Sequence, residues 1–345
     1  MSTAAVIGCG DISSVHLAAI AGNPAIDLVA VCDPQPGPLS TAVAAEGVPG
    51  FADLRQLLRE TTPDVVHLCT PHDQHVAMAV DCLERGIAVL VEKPLAHTVA
   101  EGRRLVDAAA AHPEVKIGVC LQNRYNAPVR AMQQLLSSGE LGAVLGASAT
   151  VMWHRTAEYY RAKPWRGRWE TSGGGLLMNQ AIHTVDLLQW MLGDVVTVQG
   201  SAAHHLLGDV IEVEDTADMV LTHRDGIRTV FYATLANAVN APVTIDVVTE
   251  RATLSLSGGL TVTYADGSSA AVADALAATA GRDYWGTSHS LLIDDFYARR
   301  TDPAPFWISP AEAAKSLGIV QDLYAYSASA SGLGRTSVPA GSLAG

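Results

Sequence analysis

The sequence predicts an α/β protein in two parts. A doubly wound parallel sheet comes first, and an α/β domain built on a mainly antiparallel sheet follows. Three observations carry this. The first third alternates short apolar runs with helical segments. Those runs are nearly continuous, as strands covered on both faces are. Beyond about Tyr125 the pattern changes to strands of alternating polarity with Asp-Gly turns at Asp225-Gly226 and Asp266-Gly267, the signature of an antiparallel sheet.

In chain order, strand-like runs occupy Ala4 to Gly8, Asp27 to Cys32, Val65 to Cys69, Ala88 to Val91 and Lys116 to Leu121. Ala-rich and Leu-rich helical stretches such as Asp73 to Arg85 and Val99 to Ala111 lie between them, giving βαβ punctuation. A helix over Pro128 to Ser137 leads to a long strand, Val144 to Trp153. Alternating strands fill Val195 to Tyr264, and helices near Ser288 to Arg300 and Pro310 to Ser327 close the chain. The expected division is 1–123, 124–328 and a disordered Ser-, Gly- and Ala-rich tail over 329–345.

The chain has 345 residues, 49% of them hydrophobic and 17% charged, enough for roughly two domains. Its formal net charge of -13 argues against nucleic acid or an anionic membrane as a partner. No uncharged apolar run reaches the roughly 18 residues of a membrane helix. The N-terminus lacks the basic stretch of a signal peptide. Five cysteines form an odd set without a Cys-x-x-Cys pair. They read as buried and reduced, as in a cytoplasmic protein.

"VIGCGDISSVH" follows the first strand and opens a helix. Gly8 permits a tight turn, and Gly10 lets backbone approach a pyrophosphate. The helix start then offers N–H donors and positive dipole. Ser13 stands where a third glycine is usual, small enough for close helix–strand packing. Asp33 ends the second strand, twenty-three positions after Gly10. An acid there binds the adenosine ribose hydroxyls and repels a 2′-phosphate. "CDPQPGPLS" offers no Lys or Arg to that phosphate, so NAD is favoured over NADP. A glycine-tight turn without a nucleotide is the plainer alternative.

"CTPHDQH" and "VEKP" end two further strands at the same edge, where parallel sheets bind ligands. His72 and His75 lack a third ligand at metal spacing, so no metal is expected. Lys93, after four apolar or acidic strand residues, precedes Pro94. It is biased to extended backbone and placed to act on a ligand.

"GGGLLMNQAIHTVDLLQW" raises a further question. Asn179, His183 and Asp186 fall at i, i+4 and i+7, which a regular helix stacks on one face. The neighbours are apolar, so the stripe points to a site rather than to solvent.

The ordered set Gly8-Cys9-Gly10-Asp11-Ile12, Thr70-Pro71 with His75, Glu92-Lys93-Pro94, Gln122-Asn123-Arg124-Tyr125 and Gly173-Gly174-Gly175 followed by Asn179, His183 and Asp186 resembles the Gfo/Idh/MocA family across nearly the whole chain. The resemblance implies a Rossmann domain, then an α/β domain whose open antiparallel sheet forms a homodimer or homotetramer interface. It also implies NAD(P)-linked oxidation or reduction of a sugar or cyclitol hydroxyl, with a cis peptide before the motif proline. Lys93 and His183 match the family's active-site lysine and histidine, and Asp186 its following acid. Asn179 stands where many relatives carry Asp, and Asn can only orient by hydrogen bonds. On this resemblance, Gly8, Gly10, Asp11, Ile12, Asp33, Thr70, Pro71, His75, Glu92, Lys93 and Gln122 line the cofactor. Arg124 and Tyr125 join Lys93, Asn179 and His183 at the substrate.

The chemistry suits this set. Oxidising a secondary alcohol moves a hydride to the nicotinamide and a proton to a base. A neutral imidazole near pH 7 fits the proton, and a cation stabilises the developing alkoxide. His183 is therefore the expected base, Lys93 the oxygen-polarising group, and Asn179 and Asp186 orienters.

Between Arg155 and Arg168 the loop packs Arg155, Arg161, Lys163, Arg166 and Arg168 with Tyr159, Tyr160 and Trp165. Aromatics cover a sugar ring while charges fix hydroxyls or an acidic group. Tyr160 is a substrate candidate. By the resemblance, Trp165 and Arg166 reach the cofactor. "YWGTSH", with Tyr284, Trp285 and His289, is expected to complete the pocket. Three functions stay open: a freely exchanging sugar or cyclitol dehydrogenase, a glycoside-cleaving enzyme that retains NAD, and a non-catalytic nucleotide sensor.

Overall fold

The computed structural model describes residues 1–272 and 288–330. The expected tail from 331 onward, and Tyr284 and Trp285, lie outside the described residues. The chain divides into two compact units, Met1–Gln122 with Thr287–Ala314, and Asn123–Gly286 with Lys315–Gly345.

The first unit holds six parallel strands: β1 (Ser2–Ile7), β2 (Ile26–Cys32), β3 (Gly50–Phe51), β4 (Val65–Leu68), β5 (Ala88–Glu92) and β6 (Ile117–Cys120). Their order is β3-β2-β1-β4-β5-β6, the doubly wound order with its switch between β1 and β4. Helices α1 (Ser13–Gly22), α2 (Pro36–Glu46), α3 (Leu54–Glu60), α4 (His75–Leu83) and α5 (Val99–Ala111) connect them. The two-residue β3 has no apolar run, which is why the sequence does not announce it. Val65, Val66, Val89, Leu90 and Val91 are fully buried, as parallel strands covered on both faces require.

The second unit opens with α6 (Ala127–Ser138), β7 (Val144–Met152), α7 (Ala157–Arg161), α8 (Trp169–Ser172) and α9 (Ile182–Leu192). The strands β8 (Val195–Ala203), β9 (Thr216–His223), β10 (Arg228–Thr234), β11 (Thr244–Thr249), β12 (Ala252–Ser257), β13 (Gly259–Tyr264) and β14 (Ser269–Val272) follow. They join β7 in an open sheet ordered β14-β13-β12-β11-β7-β10-β9-β8. All its pairings are antiparallel except β7 with β10. Met219, Leu221, Phe231, Ala233, Ile245 and Val247 are buried on one face. On the other, Val230, Tyr232 and Val248 are 57%, 40% and 43% exposed. The edge strand β14 is exposed along all four residues.

Helix α10 (Ser288–Ala298) corrects the expected 124–328 boundary, because Thr287–Ala314 belongs to the first unit. Gly118 of β6 explains this. It has no side chain, and the rings of Phe296 and Phe306 fill the space a Cβ would need, meeting each other edge to face at 5.3 Å. Helix α11 (Pro310–Ala330) closes the described chain. All five cysteines are free thiols, and four are buried. Cys9 is only half-buried, against expectation. Its desolvation pushes its pKa up to about 11, which keeps it a thiol. No helix among the described residues is long and apolar enough to cross a membrane.

Candidate active site

The glycine turn after β1 has the geometry its spacing predicts. Gly8 sits at φ 89°, and a Cβ there would press on the Cys69 backbone. Gly10 faces open space. The first turn of α1 has no side-chain cap and no acid, so its amide donors and dipole are available to an anion. The Ser13 hydroxyl donates to the Gly10 carbonyl at 2.6 Å, a bond that a third glycine cannot make. Asp33 accepts from the amides of Cys9 at 2.8 Å and Gln35 at 2.8 Å, so it also braces the turn. Thr70 Oγ1 and Gln122 Oε1 are buried polar atoms with no hydrogen-bond partner among the described residues. Such atoms at strand ends await a polar ligand. An uncapped helix start, an open glycine and two orphaned polar atoms, a hydroxyl and an amide oxygen, fit a dinucleotide.

The Lys93–Pro94 peptide is cis. His75 is fully buried and bridges the two neighbouring loops, its ring nitrogens lying 2.9 Å from the carbonyls of Pro94 and Thr70. Burial holds its pKa below the usual value. His75 thus braces the loops that would carry a cofactor.

Glu92 accepts from His16 Nε2 at 3.0 Å, from His289 Nε2 at 3.2 Å and from the Lys93 amide at 3.1 Å. Burial opposes its charge, yet the two imidazoles hold its carboxyl well below the usual range. His16 also meets His67 at 2.8 Å, and His67 meets the Tyr297 hydroxyl at 2.9 Å. His289, expected in a substrate pocket, is 1% exposed in this cluster.

In the second unit the stretch after the three glycines is not one regular helix. Leu177–Ala181 is a π-helical turn, and α9 begins at Ile182. The wider turn breaks the simple stacking of the three polar residues. Asn179 and His183 are partly exposed, whereas Asp186 is buried. Asp186 forms a bidentate pair with Arg124, Nε–Oδ2 2.8 Å and Nη2–Oδ1 2.6 Å. That pair holds Arg124 and Asp186 together in the interior of the second unit. Tyr125 is likewise buried, with Arg130 over its ring at 4.5 Å.

Tyr159 organises the basic loop. Its hydroxyl accepts from Asn179 Nδ2 at 3.1 Å and Gln180 Nε2 at 3.2 Å. Arg166 lies over its ring at 4.2 Å and Arg155 at 5.3 Å. Arg166 also reaches the Trp165 ring at 5.6 Å. Arg161 and Arg168 are exposed beside Glu158 and Glu212. Tyr160 is 4% exposed, and burial raises its pKa.

Two family models match. Residues 3–119 match the oxidoreductase family with an NAD-binding Rossmann fold, and 129–255 match the GFO/IDH/MocA C-terminal domain. The chain belongs to the Gfo/Idh/MocA oxidoreductase family. The WlbA dehydrogenase from Bordetella pertussis, solved in complex with NADH and UDP-GlcNAcA, superposes with a TM-score of 0.82 at 30% identity, over 94% of this chain and 96% of that one. A D-apiose dehydrogenase from Paraburkholderia graminis is 28% identical over 66% of this chain and 58% of its own length. Inositol 2-dehydrogenase 2 from Saccharopolyspora erythraea is 28% identical over 64% and 63%. The match thus spans about three fifths of these two curated relatives.

The sequence shows the glycine turn and the Asp33 that ends β2, and the structure gives both the backbone setting their spacing implies. Sequence reasoning missed the cluster around Glu92. His16 and His67 carry no motif of their own. Glu214 and Asp215, an acidic pair opening an apolar strand in "VEDTAD", were a signal that two anions are drawn inside.

Proposed function

We propose that this protein is an NAD-dependent dehydrogenase acting on a secondary hydroxyl, or the corresponding ketone, of a sugar carrying an acidic group. When bound, NAD supplies the hydride acceptor. His183 takes the hydroxyl proton, and Lys93 stabilises charge developing on the oxygen. Asn179, held by Tyr159, orients the substrate. Two observations carry the reading, one in each unit. An uncapped helix start beside an open Gly10 serves the cofactor. A partly exposed His183 stands on a mostly buried helix, four residues after Asn179, which donates to an arginine-flanked tyrosine. The acidic sugar follows from Arg155 and Arg166 on Tyr159, and from a 30% identical relative crystallised with UDP-GlcNAcA.

The experiment is a panel of UDP-linked and free uronates, neutral sugars and cyclitols with NAD, read as NADH absorbance. Turnover confined to acidic sugars is expected. A preference for neutral cyclitols overturns the substrate class. Aglycone release without net NADH moves the reading to the glycoside-cleaving chemistry. His183→Ala is expected to keep NAD affinity and lose turnover. Near-native turnover sinks the assignment of the base.

We also place the chain in a reducing compartment, on its five free cysteines, and assign the uncovered face bearing Val230, Tyr232 and Val248 to contact with a second copy.

A further inference from the structure

The glycine run before the site helix is crowded by one acid. Glu214 is 3% exposed and lies just ahead of β9. Its Oε2 accepts from the Gly175 amide at 2.9 Å, and its Oε1 from the Leu177 amide at 2.8 Å. Its own carbonyl accepts from the amide between them, Leu176, at 3.2 Å. One residue thereby satisfies three consecutive N–H groups at the start of a helix, which otherwise lack partners. Tyr324 of α11 donates its hydroxyl to Glu214 Oε1 at 2.9 Å.

This explains two of the three glycines. A Cβ at Gly175 would strike the Glu214 carbonyl, and one at Gly174 would strike the Tyr324 hydroxyl. The helix start is tied to an acid on one side and a phenol on the other. Asn179 follows Leu177 by two residues and His183 by six.

We propose that Glu214, held by Tyr324, is a positioning residue that fixes the start of the Asn179–His183 helix and so aims His183 for proton transfer. The inference rests on His183 being the base. The Glu214 carboxyl accepts from two helix-start amides and the Tyr324 hydroxyl, so the carboxylate grips these donors and the protonated acid grips them less well. Burial raises its pKa to about 7, against the pull of those donors. The titratable groups around it are Tyr324 of α11, Tyr160 of α7 and the adjoining Asp215. Turnover therefore gains an ionisation near neutrality, rising as Glu214 loses its proton. The Tyr324 hydroxyl favours the carboxylate, so removing it moves that limb to higher pH.

The test is a cycle of Glu214→Gln, His183→Ala and the double variant, with Tyr324→Phe as a milder change that keeps the acid should Glu214→Gln not fold. Glu214→Gln turns one acceptor into a donor facing an amide N–H. It is expected to lower kcat about 10- to 100-fold, the cost of a misplacement near 1 Å, with NAD affinity unchanged. The part of the pH profile that Glu214 contributes is lost in Glu214→Gln and shifts upward in Tyr324→Phe. The double variant is expected to be no slower than His183→Ala, because residues acting through one group are not additive. Additive losses, or an unmoved limb in Tyr324→Phe, overturn the role of Glu214. A fully active His183→Ala overturns the assignment of the base instead, so the two failures are distinct.

Discussion

Arg124 and Asp186 meet through two hydrogen bonds of 2.8 and 2.6 Å, and each side chain is 1% exposed. The guanidinium also lies 5.1 Å from the Trp190 ring centroid. Two charges so enclosed depend on each other. Removing one leaves the other buried without its counter-ion, which costs about 3–5 kcal/mol. Asp186→Ala should therefore lower stability by that amount in urea unfolding. Arg124→Met/Asp186→Leu should recover most of it. A soluble, fully stable Asp186→Ala with only a turnover defect would return Asp186 to the catalytic set.

Gly8 and Gly10 separate folding from binding. An Ala at Gly8 meets the Cys69 backbone at a positive φ, an overpacking cost of about 1–3 kcal/mol. An Ala at Gly10 meets nothing in the protein, so stability should stay within about 0.5 kcal/mol. NAD affinity, read by nucleotide fluorescence, should nevertheless fall about tenfold or more, at 1.4 kcal/mol per decade. Unchanged affinity in Gly10→Ala would remove the pyrophosphate from this turn.

His67 titrates against folding. Burial, with His16 beside it, holds its pKa well below the ordinary value. The native state keeps it neutral while the unfolded chain protonates near its usual 6.5. Its contribution is complete above pH 6.5 and is lost as pH falls below it, at up to about 1.4 kcal/mol per pH unit. Glu214 has the opposite sign. Its raised pKa favours folding below 4.5, and that advantage fades as pH rises through about 7. Urea midpoints at pH 7.5 and 5.5 should show a shallower acid loss in His67→Gln than in the native protein. Identical pH slopes would mean that His67 is charged in the fold.

The exposed face of the second sheet makes a prediction about association. Val230→Lys and Val248→Lys place charges among Val230, Tyr232 and Val248, which are uncovered in the single chain. Sedimentation should show an oligomer for the native protein and a smaller species for the double variant. A native monomer at micromolar concentration leaves this face without a partner.

The sequence made the fold legible where pattern and physics coincide. Continuous apolar strands marked β1, β2, β4, β5 and β6, and Gly8 and Gly10 marked the turn. What it hid depends on contacts far along the chain. The cavity opposite Gly118 is filled by Phe296 and Phe306, and no local signal links them. Asp186 reads as a site residue by spacing, and no local signal links it to Arg124, 62 positions away. The π-helical turn at Leu177–Ala181 cannot be seen in hydrophobic spacing alone, and it decides which polar residues stay accessible.

An open eight-stranded sheet has two edges, and each is a template on which another chain's strand can polymerise. At one edge, the four described residues of β14, Ser269–Val272, are all exposed. β8 is nine residues long, but Ala202 is engaged on both its amide and carbonyl by the Ser327 hydroxyl, at 3.1 and 3.4 Å. Ser327 is made 125 residues later. During synthesis that edge stays sticky until Ser327 has left the ribosome, so shortening α11 should produce aggregates rather than a smaller folded protein.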